Sequence, residues 1–252
     1  MKKITTSLLV ALPLLSSSAV FAADQDTVCK PKEYNMALRY QQQSAEVMAL
    51  QLQAYQFATQ RFIQILANHH SDKKPAVVLD LDETVIDNTP LLVRDVNNCH
   101  DYTSWDTWSD WEKKGEPTLI PGAKDFVDFV TQQGVKIFYV SDRFQENKAD
   151  TLKTLKKLNL PQVASDNVLL YTESKESRRE SVRKNHDIIM LVGDSLPDLA
   201  AEFKNKESTE YQRDLVAKEA AHFGNDWIVM PNASYGSWSK STLKTWDEKA
   251  AQ

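Results

Sequence analysis

Nowhere does this chain of 252 residues carry an apolar run long enough to cross a bilayer as a helix. Its best candidate, residues 8–15, is too short and is broken by Pro13. Cysteine is nearly absent as well. Cys29 and Cys99 are the whole supply, so the fold must rest on an ordinary hydrophobic core and not on a disulfide framework. An excess of positive charge is also missing. The 30 Lys and Arg stand against 35 Asp and Glu, for a formal net charge of −5, which gives no electrostatic ground for a nucleic-acid polymer as partner. No internal repeat or low-complexity segment interrupts the chain.

What is present at the N-terminus accounts for the short apolar run. Lys2 and Lys3 precede it, Ser16, Ser17 and Ser18 follow it, and residues 19–22 form a small-residue exit ending at Ala22. That order predicts a cleaved signal peptide over residues 1–22, in the compact style of bacterial export signals. No cysteine stands at the cleavage point, so a lipid anchor is not expected. Residues 23–252 are therefore expected in the periplasm or secreted to the medium, with no membrane anchor after cleavage. In that oxidising setting Cys29 and Cys99 can pair or stay separate; sequence does not report the distance a disulfide needs.

The mature chain suits one α/β domain with an appendage. Residues 36–66 read as one long helix or two. Val47, Leu50, Ala54 and Phe57 step by three or four, and Tyr55, Ala58, Phe62 and Ile65 form a second track. These N-terminal helices, spanning about residues 34–68, are read as packing on the main body. From Pro75 the pattern changes. Apolar runs at 76–79, 135–140, 168–171, 188–192 and 227–230 alternate with helical stretches at 123–132, 146–158, 175–184 and 198–203. Such alternation predicts an α/β fold with a doubly wound parallel sheet buried on both faces. Residues 89–121, which hold Tyr102, Trp105, Trp108 and Trp111, break the alternation. They follow the first strand at the carboxyl edge where such sheets bind ligands, and are expected to form a small cap.

Polar residues collect where the strands end. Asp80 and Asp82 follow the first strand, Ser141 the second, Lys175 the third, and Asp194 and Asp198 the fourth. Strand ends of a parallel sheet converge on one crevice, so these residues are expected to share a site. Carboxylates forced together repel unless a cation neutralises them, and oxygen ligands suit Mg²⁺. Taken singly, the aspartates and Ser141 could be helix caps or turn residues and Lys175 part of a solvated face; their joint placement points to phosphoryl chemistry.

Longer strings make the pattern specific. DLDETVIDNTP occupies 80–90, IFYVSDR 137–143, SKESRR 174–179, GDSLPD 193–198 and PNASYGSW 231–238. Asp80 and Asp82, with Ser141, Lys175 and Asp194 to Asp198, resemble the four motifs of the haloacid dehalogenase superfamily. The second aspartate, Asp82, resembles that of its phosphatases and not its dehalogenases. The longer strings, with QSAE at 43–46 and QAY at 53–55, resemble the class C acid phosphatases over nearly all of the mature chain.

The resemblance implies a Mg²⁺-dependent acid phosphatase acting on small phosphomonoesters, nucleoside 5′-monophosphates among them, through an aspartyl-phosphate. Asp80 would attack phosphorus. Asp82 would protonate the leaving oxygen and then activate water, while its backbone carbonyl binds the metal. Ser141 would hydrogen-bond the phosphoryl group, and Lys175 would stabilise its charge, with Arg178 and Arg179 as the alternatives for that role. Asp194 would hold Mg²⁺ together with Asp80, and Asp198 would hold the water shell of the metal or Lys175. Arg143, Glu83 and Thr84 would organise these groups.

Two departures stand out. Many class C members are lipoproteins with a cysteine at the cleavage site, which this chain lacks. Residues 91–108 also differ from the usual aromatic-rich stretch, leaving Trp105, Trp108 and Tyr235 as candidates either to stack a base or to pack the cap. A phosphotransferase on the same fold and a non-catalytic surface or ligand-binding protein remain as rival readings. Export favours hydrolysis over transfer, and the full carboxylate set argues against binding alone. No Arg-His-Gly string surrounds any histidine, which disfavours a histidine-type acid phosphatase. The glycosylation-like Asn232-Ala233-Ser234 is read as chance beside a bacterial-type signal. Oligomeric state does not follow from the sequence.

Overall fold

Short apolar strands separated by helices make up the computed structural model, which describes residues 29–204 and 208–246. The signal segment expected at residues 1–22 lies outside the described residues. Two helices come first, α1 (Asn35–Gln43) and α2 (Ala45–Ala67). The break between them falls at Ser44, whose backbone is extended and whose hydroxyl accepts from the Val47 N–H at 3.1 Å, capping α2. Then follow β1 (Lys74–Leu79), β2 (Ile86–Asp87), α3 (Thr89–Asn97), α4 (Trp108–Lys114) and β3 (Thr118–Leu119). The chain continues through α5 (Ala123–Gln132), β4 (Lys136–Phe144), α6 (Lys148–Lys157) and β5 (Val168–Tyr171). It closes with α7 (Lys175–Arg183), β6 (His186–Gly193), α8 (Thr209–Lys218) and β7 (Trp227–Val229).

Five parallel strands pair in the order β5-β4-β1-β6-β7, and β2 pairs antiparallel with β3. Successive side chains of a strand point to opposite faces, so each strand feeds two core layers. Val77, Leu79, Ile137 and Tyr139 pack with Tyr55, Ala58 and Phe62 of α2 and with Phe126, Val127 and Val130 of α5. Ala76, Val78, Phe138 and Val140 pack with Val182 of α7 and Leu215 and Val216 of α8. Helices cover both faces, as the doubly wound reading requires. The chain runs from β1 to β4 and β5 on one side and then crosses to β6 and β7 on the other, so the strand order reverses beside β1. Ligands bind at such switch points.

Residues between β2 and β3 have a core of their own. Leu91, Leu92, Val96, Tyr102 and Trp108 pack with Leu38 of α1. Cys29 and Cys99 are joined by a disulfide with Cα atoms 5.5 Å apart, tying the segment before α1 to the end of α3. Each buried Val, Leu or Phe contributes about 1.5–3 kcal/mol. Two or three of them therefore match the about 4 kcal/mol that a cross-link closing a 70-residue loop supplies. Apolar packing holds the sheet, while the disulfide trims one edge. Among the described residues, no helix is long and apolar enough to cross a membrane.

Two expectations need correction. The stretch 198–203 is not a helix but two tight 3₁₀ turns, Leu196–Asp198 and Ala201–Phe203. The Asp198 carboxylate folds back to accept from the Ser195 N–H at 3.0 Å and closes the first turn on itself. The second strand does not stop at Val140. β4 runs on to Phe144, with a register shift against β5 between Val140 and Phe144, so Ser141 sits within an irregular stretch and not beyond the strand. α8 carries little signal in the sequence, because TEYQRDLVAK buries no residue fully.

Candidate active site

β1 is followed at once by Asp80, whose N–H donates to the Val192 carbonyl of β6 at 2.9 Å. A tight turn follows. The Leu81 carbonyl accepts from the Val85 and Ile86 N–H groups at 2.8 and 2.9 Å, and Glu83 adopts a left-handed backbone at φ 55°. That conformation is unfavourable for a residue with a Cβ and persists only when its surroundings hold it. Here the buried Glu83 carboxylate accepts from the Asn88 N–H at 2.8 Å and from the Tyr235 hydroxyl. Tyr55 of α2 adds a hydrogen bond from its hydroxyl to the Thr84 carbonyl at 2.6 Å. The turn that presents Asp80 and Asp82 is thus fixed from several directions.

Asp82 is held by three donors. Ser141 Oγ donates to Oδ2 at 2.8 Å, while Arg143 Nε and Asn88 Nδ2 donate to Oδ1, each at 2.9 Å. Ser141 and Arg143 are two residues apart in β4 and so share a face. Arg143 also reaches Asn88 Oδ1 at 3.1 Å, an oxygen that accepts from Trp111 Nε1 at 2.8 Å as well. Ser141, expected on a phosphoryl group, has Asp82 as its acceptor in this structure.

Asp80, Asp194 and Asp198 each bring one oxygen within 4.8 Å of the others. Lys175, the first residue of α7, places Nζ 2.5 Å from Asp80 Oδ1 and 2.5 Å from Asp198 Oδ1. Asp194 accepts from Thr84 Oγ1 at 3.2 Å and from Asn232 Nδ2 at 2.7 Å. Of the two partners expected for Asp198, the geometry displays Lys175. Gly193 permits the close approach of this turn, since a Cβ there would stand 2.4 Å from Asp198 Cβ.

The charges do not balance within the cluster. Burial pushes the Asp80 carboxyl well above the usual carboxylate range; Lys175 opposes the rise, and Asp198, Asp194 and Asp82 add to it. Burial and then Asp198 push Asp194 up to about 6, against Asn232 and Lys175. For Lys175, burial alone would lower the value, but Asp198 and Asp80 outweigh it and keep the ammonium charged. One ammonium faces three carboxylates, leaving negative charge for a cation to neutralise. An all-oxygen donor set of this kind fits a hard divalent ion.

The three aromatic candidates meet. Trp105 lies 5.2 Å from Trp108 and 5.2 Å from Tyr235, ring centre to ring centre, and Trp108 lies 5.9 Å from Tyr235. Their exposure differs: Trp108 is 5% exposed and belongs to the hydrophobic cluster shared with Leu38 of α1, whereas Trp105 is 44% exposed. Sequence reasoning passed over several residues of this site: Asn88, Trp111 and Asn232, along with Glu112. Asn88 and Asn232 lie inside the strings DLDETVIDNTP and PNASYGSW, which was the available signal. Asn232 faces Asp194 and accepts from the Ser234 N–H at 2.7 Å, a structural use of the glycosylation-like triplet. Glu112 of α4 accepts from Asn147 Nδ2 at 2.7 Å and from the Phe144 N–H at 3.2 Å. Burial pushes its carboxyl up to about 7, against the hydrogen bond from Asn147.

Comparison with known proteins places the chain in a family. Residues 10–238 match the family model described as HAD superfamily, subfamily IIIB (Acid phosphatase). The class C acid phosphatase from Bacillus anthracis superposes with a TM-score of 0.78 at 35% identity, over 84% of this chain and 88% of that one. Its structure with tungstate bound gives a TM-score of 0.78 at 34% identity, over the same shares of the two chains. The stem 31 kDa glycoprotein of Glycine max is 24% identical over 168 residues, which are 62% of this chain and 61% of that protein. This chain therefore spans about three fifths of the length of that curated relative.

Proposed function

We propose a reaction from one premise: the chain belongs to the acid phosphatases of HAD superfamily subfamily IIIB, class C. It hydrolyses small phosphate monoesters outside the cytoplasm, nucleoside 5′-monophosphates among them, with Mg²⁺ as cofactor. Asp80 attacks phosphorus, the bond from phosphorus to the ester oxygen breaks, and Asp82 delivers a proton to the leaving oxygen. Asp82 then takes a proton from the water that attacks the aspartyl-phosphate, releasing phosphate and restoring Asp80. Ser141 contributes a hydrogen bond to the phosphoryl oxygens, with Asp82 as its resting acceptor. Lys175 offsets charge on Asp80 and on the phosphoryl group.

Asp80 and Asp194, with the backbone carbonyl of Asp82, are the residues that would hold Mg²⁺. The ion would neutralise charge on the phosphoryl oxygens and on the carboxylates. Asp198 works through Lys175. Thr84 and Asn232 orient Asp194, while Arg143 and Asn88 orient Asp82.

One observation carries the reading. Lys175 bridges Asp80 and Asp198 within a three-carboxylate cluster, beside an aspartate held by Ser141 and Arg143. A protein that only bound its ligand would have no need of so costly a concentration of buried charge. Binding of tungstate, an oxyanion like phosphate, by the Bacillus anthracis enzyme lends support to an oxyanion site here. The test is a hydrolysis screen of nucleotides and sugar phosphates with Mg²⁺, after EDTA, and after Mg²⁺ is restored. Release of phosphate that EDTA silences and Mg²⁺ rescues is expected. No hydrolysis, or hydrolysis indifferent to chelation, contradicts the proposal.

A further inference from the structure

The first turns of α7 carry Lys175, Arg178 and Arg179, spaced i, i+3 and i+4, so all three leave one face of the helix. Three cations near a helix N-terminus oppose the helix dipole, and buried guanidinium groups are costly without partners. Yet Arg178 and Arg179 expose only 4% and 1% of their side chains. Neither bonds to Asp80. Arg178 Nη1 donates to the Ser141 carbonyl at 2.6 Å and to the Leu169 carbonyl at 3.0 Å, and Nη2 pairs with Asp142. Arg179 Nη1 donates to the Asp198 carbonyl at 2.6 Å and to the Pro197 carbonyl at 3.1 Å. Its Nε and Nη2 reach Glu176 Oε2 at 3.1 and 2.6 Å.

Both arginines therefore grip backbone carbonyls next to functional side chains. The Ser141 carbonyl lies where the pairing of β4 with β5 shifts register, and the Asp198 carbonyl lies at the end of a single 3₁₀ turn. Neither segment is locked by a regular ladder there. A guanidinium fork is planar and always charged, and it can hold two carbonyls at fixed angles, which a lysine ammonium cannot do.

We infer that Arg178 and Arg179 are positioning residues, each fixing one irregular backbone segment to the helix turn that carries Lys175. Arg178 holds the irregular stretch of β4 at Ser141, and Arg179 holds the 3₁₀ turn that ends at Asp198. The inference rests on the proposed phosphatase reaction. It predicts that these sequence neighbours fail differently. Loss of Arg178 disturbs the group that hydrogen-bonds the phosphoryl oxygens. Loss of Arg179 disturbs Asp198, and through it Lys175 and the carboxylates expected to hold Mg²⁺.

The test compares Arg178→Met, Arg178→Lys, Arg179→Met and Arg179→Lys with the unaltered protein. Three quantities are read: KM and kcat for p-nitrophenyl phosphate, inhibition by inorganic phosphate, and the rise in Tm as Mg²⁺ is added. For Arg178→Met, KM and the inhibition constant for phosphate should rise roughly tenfold, with the Mg²⁺ response of Tm unchanged. For Arg179→Met, the Mg²⁺ concentration that gives half the Tm rise should increase roughly tenfold, while KM at saturating Mg²⁺ stays within about twofold. The lysine variants should restore little of either property. They carry the same comparison if the methionine variants do not fold, because they keep the buried charge. Identical profiles at the two positions, or a lower Tm with KM and Mg²⁺ response intact, would overturn the inference. An unaltered protein that hydrolyses no phosphate ester would instead overturn the reaction itself.

Discussion

Asn232 Nδ2 donates to Asp194 Oδ2 at 2.7 Å, joining the segment after β7 to the aspartate that follows β6. That hydrogen bond opposes the rise caused by burial and Asp198, which on balance leaves the Asp194 carboxyl pushed up to about 6. It also leaves Asp194 Oδ1 with the weaker contact from Thr84 at 3.2 Å. Groups that orient a metal ligand typically account for ten- to hundred-fold in affinity, so Asn232→Ala should raise the half-saturating Mg²⁺ concentration by about tenfold or more. The penalty should grow as pH falls toward 5, because Asp194 without its donor protonates more readily. Rates measured across a Mg²⁺ series at two pH values check this. An unchanged Mg²⁺ requirement would remove Asp194 from the metal site.

Glu112 should make stability depend on pH. Its carboxyl is pushed from 4.5 up to about 7. A group whose folded value lies above its unfolded one contributes stability that is fully present below about pH 4.5 and is lost as pH rises through about 7. Glu112 accepts from Phe144 and Asn147, so this dependence is built into the contact between α4 and the end of β4. Glu112→Gln should flatten the fall of Tm between pH 5 and 8 and melt higher than the parent protein at pH 8. Thermal melts across that range, with parallel curves for parent and variant, would deny Glu112 this role.

Trp105 is the exposed member of the aromatic cluster, whereas Trp108 is buried in the hydrophobic cluster shared with α1. Stacking of a base on an aromatic ring is worth about 1–3 kcal/mol. Trp105→Ala should therefore raise KM for a nucleoside 5′-monophosphate by roughly tenfold. KM for glycerol phosphate, which has no ring to stack, should stay nearly constant. An equal loss for both substrates would mean that Trp105 supports the cap without contacting a base.

Much of this site could be read before any coordinates, and the reasons are local. Asp80, Lys175 and Asp194 stand at strand or helix ends marked by abrupt changes from apolar to polar residues. A parallel sheet brings such ends together whatever the loops contain. The groups that hold those residues were harder to see. Asn88 and Asn232 look like turn residues, and their partners Asp82 and Asp194 are chosen by how distant segments pack. Arg178 and Arg179 could not be separated from Lys175 by charge alone; only the direction of their hydrogen bonds does so. α8 escaped because a helix with no fully buried residue leaves little periodicity in its sequence.

The central claim is that Asp80 is the nucleophile and that Asp82 activates the water that frees it. Asp82→Asn separates these two roles when the leaving group needs no proton, as with p-nitrophenyl phosphate. The decisive measurement is peptide-level mass analysis of Asp82→Asn protein, quenched in acid after mixing with that ester and Mg²⁺. One added phosphoryl group on Asp80, absent when Asp80→Asn is combined with it, is the predicted result. A phosphoryl group on any other residue, or turnover by folded protein with no phosphorylated aspartate, would contradict the account.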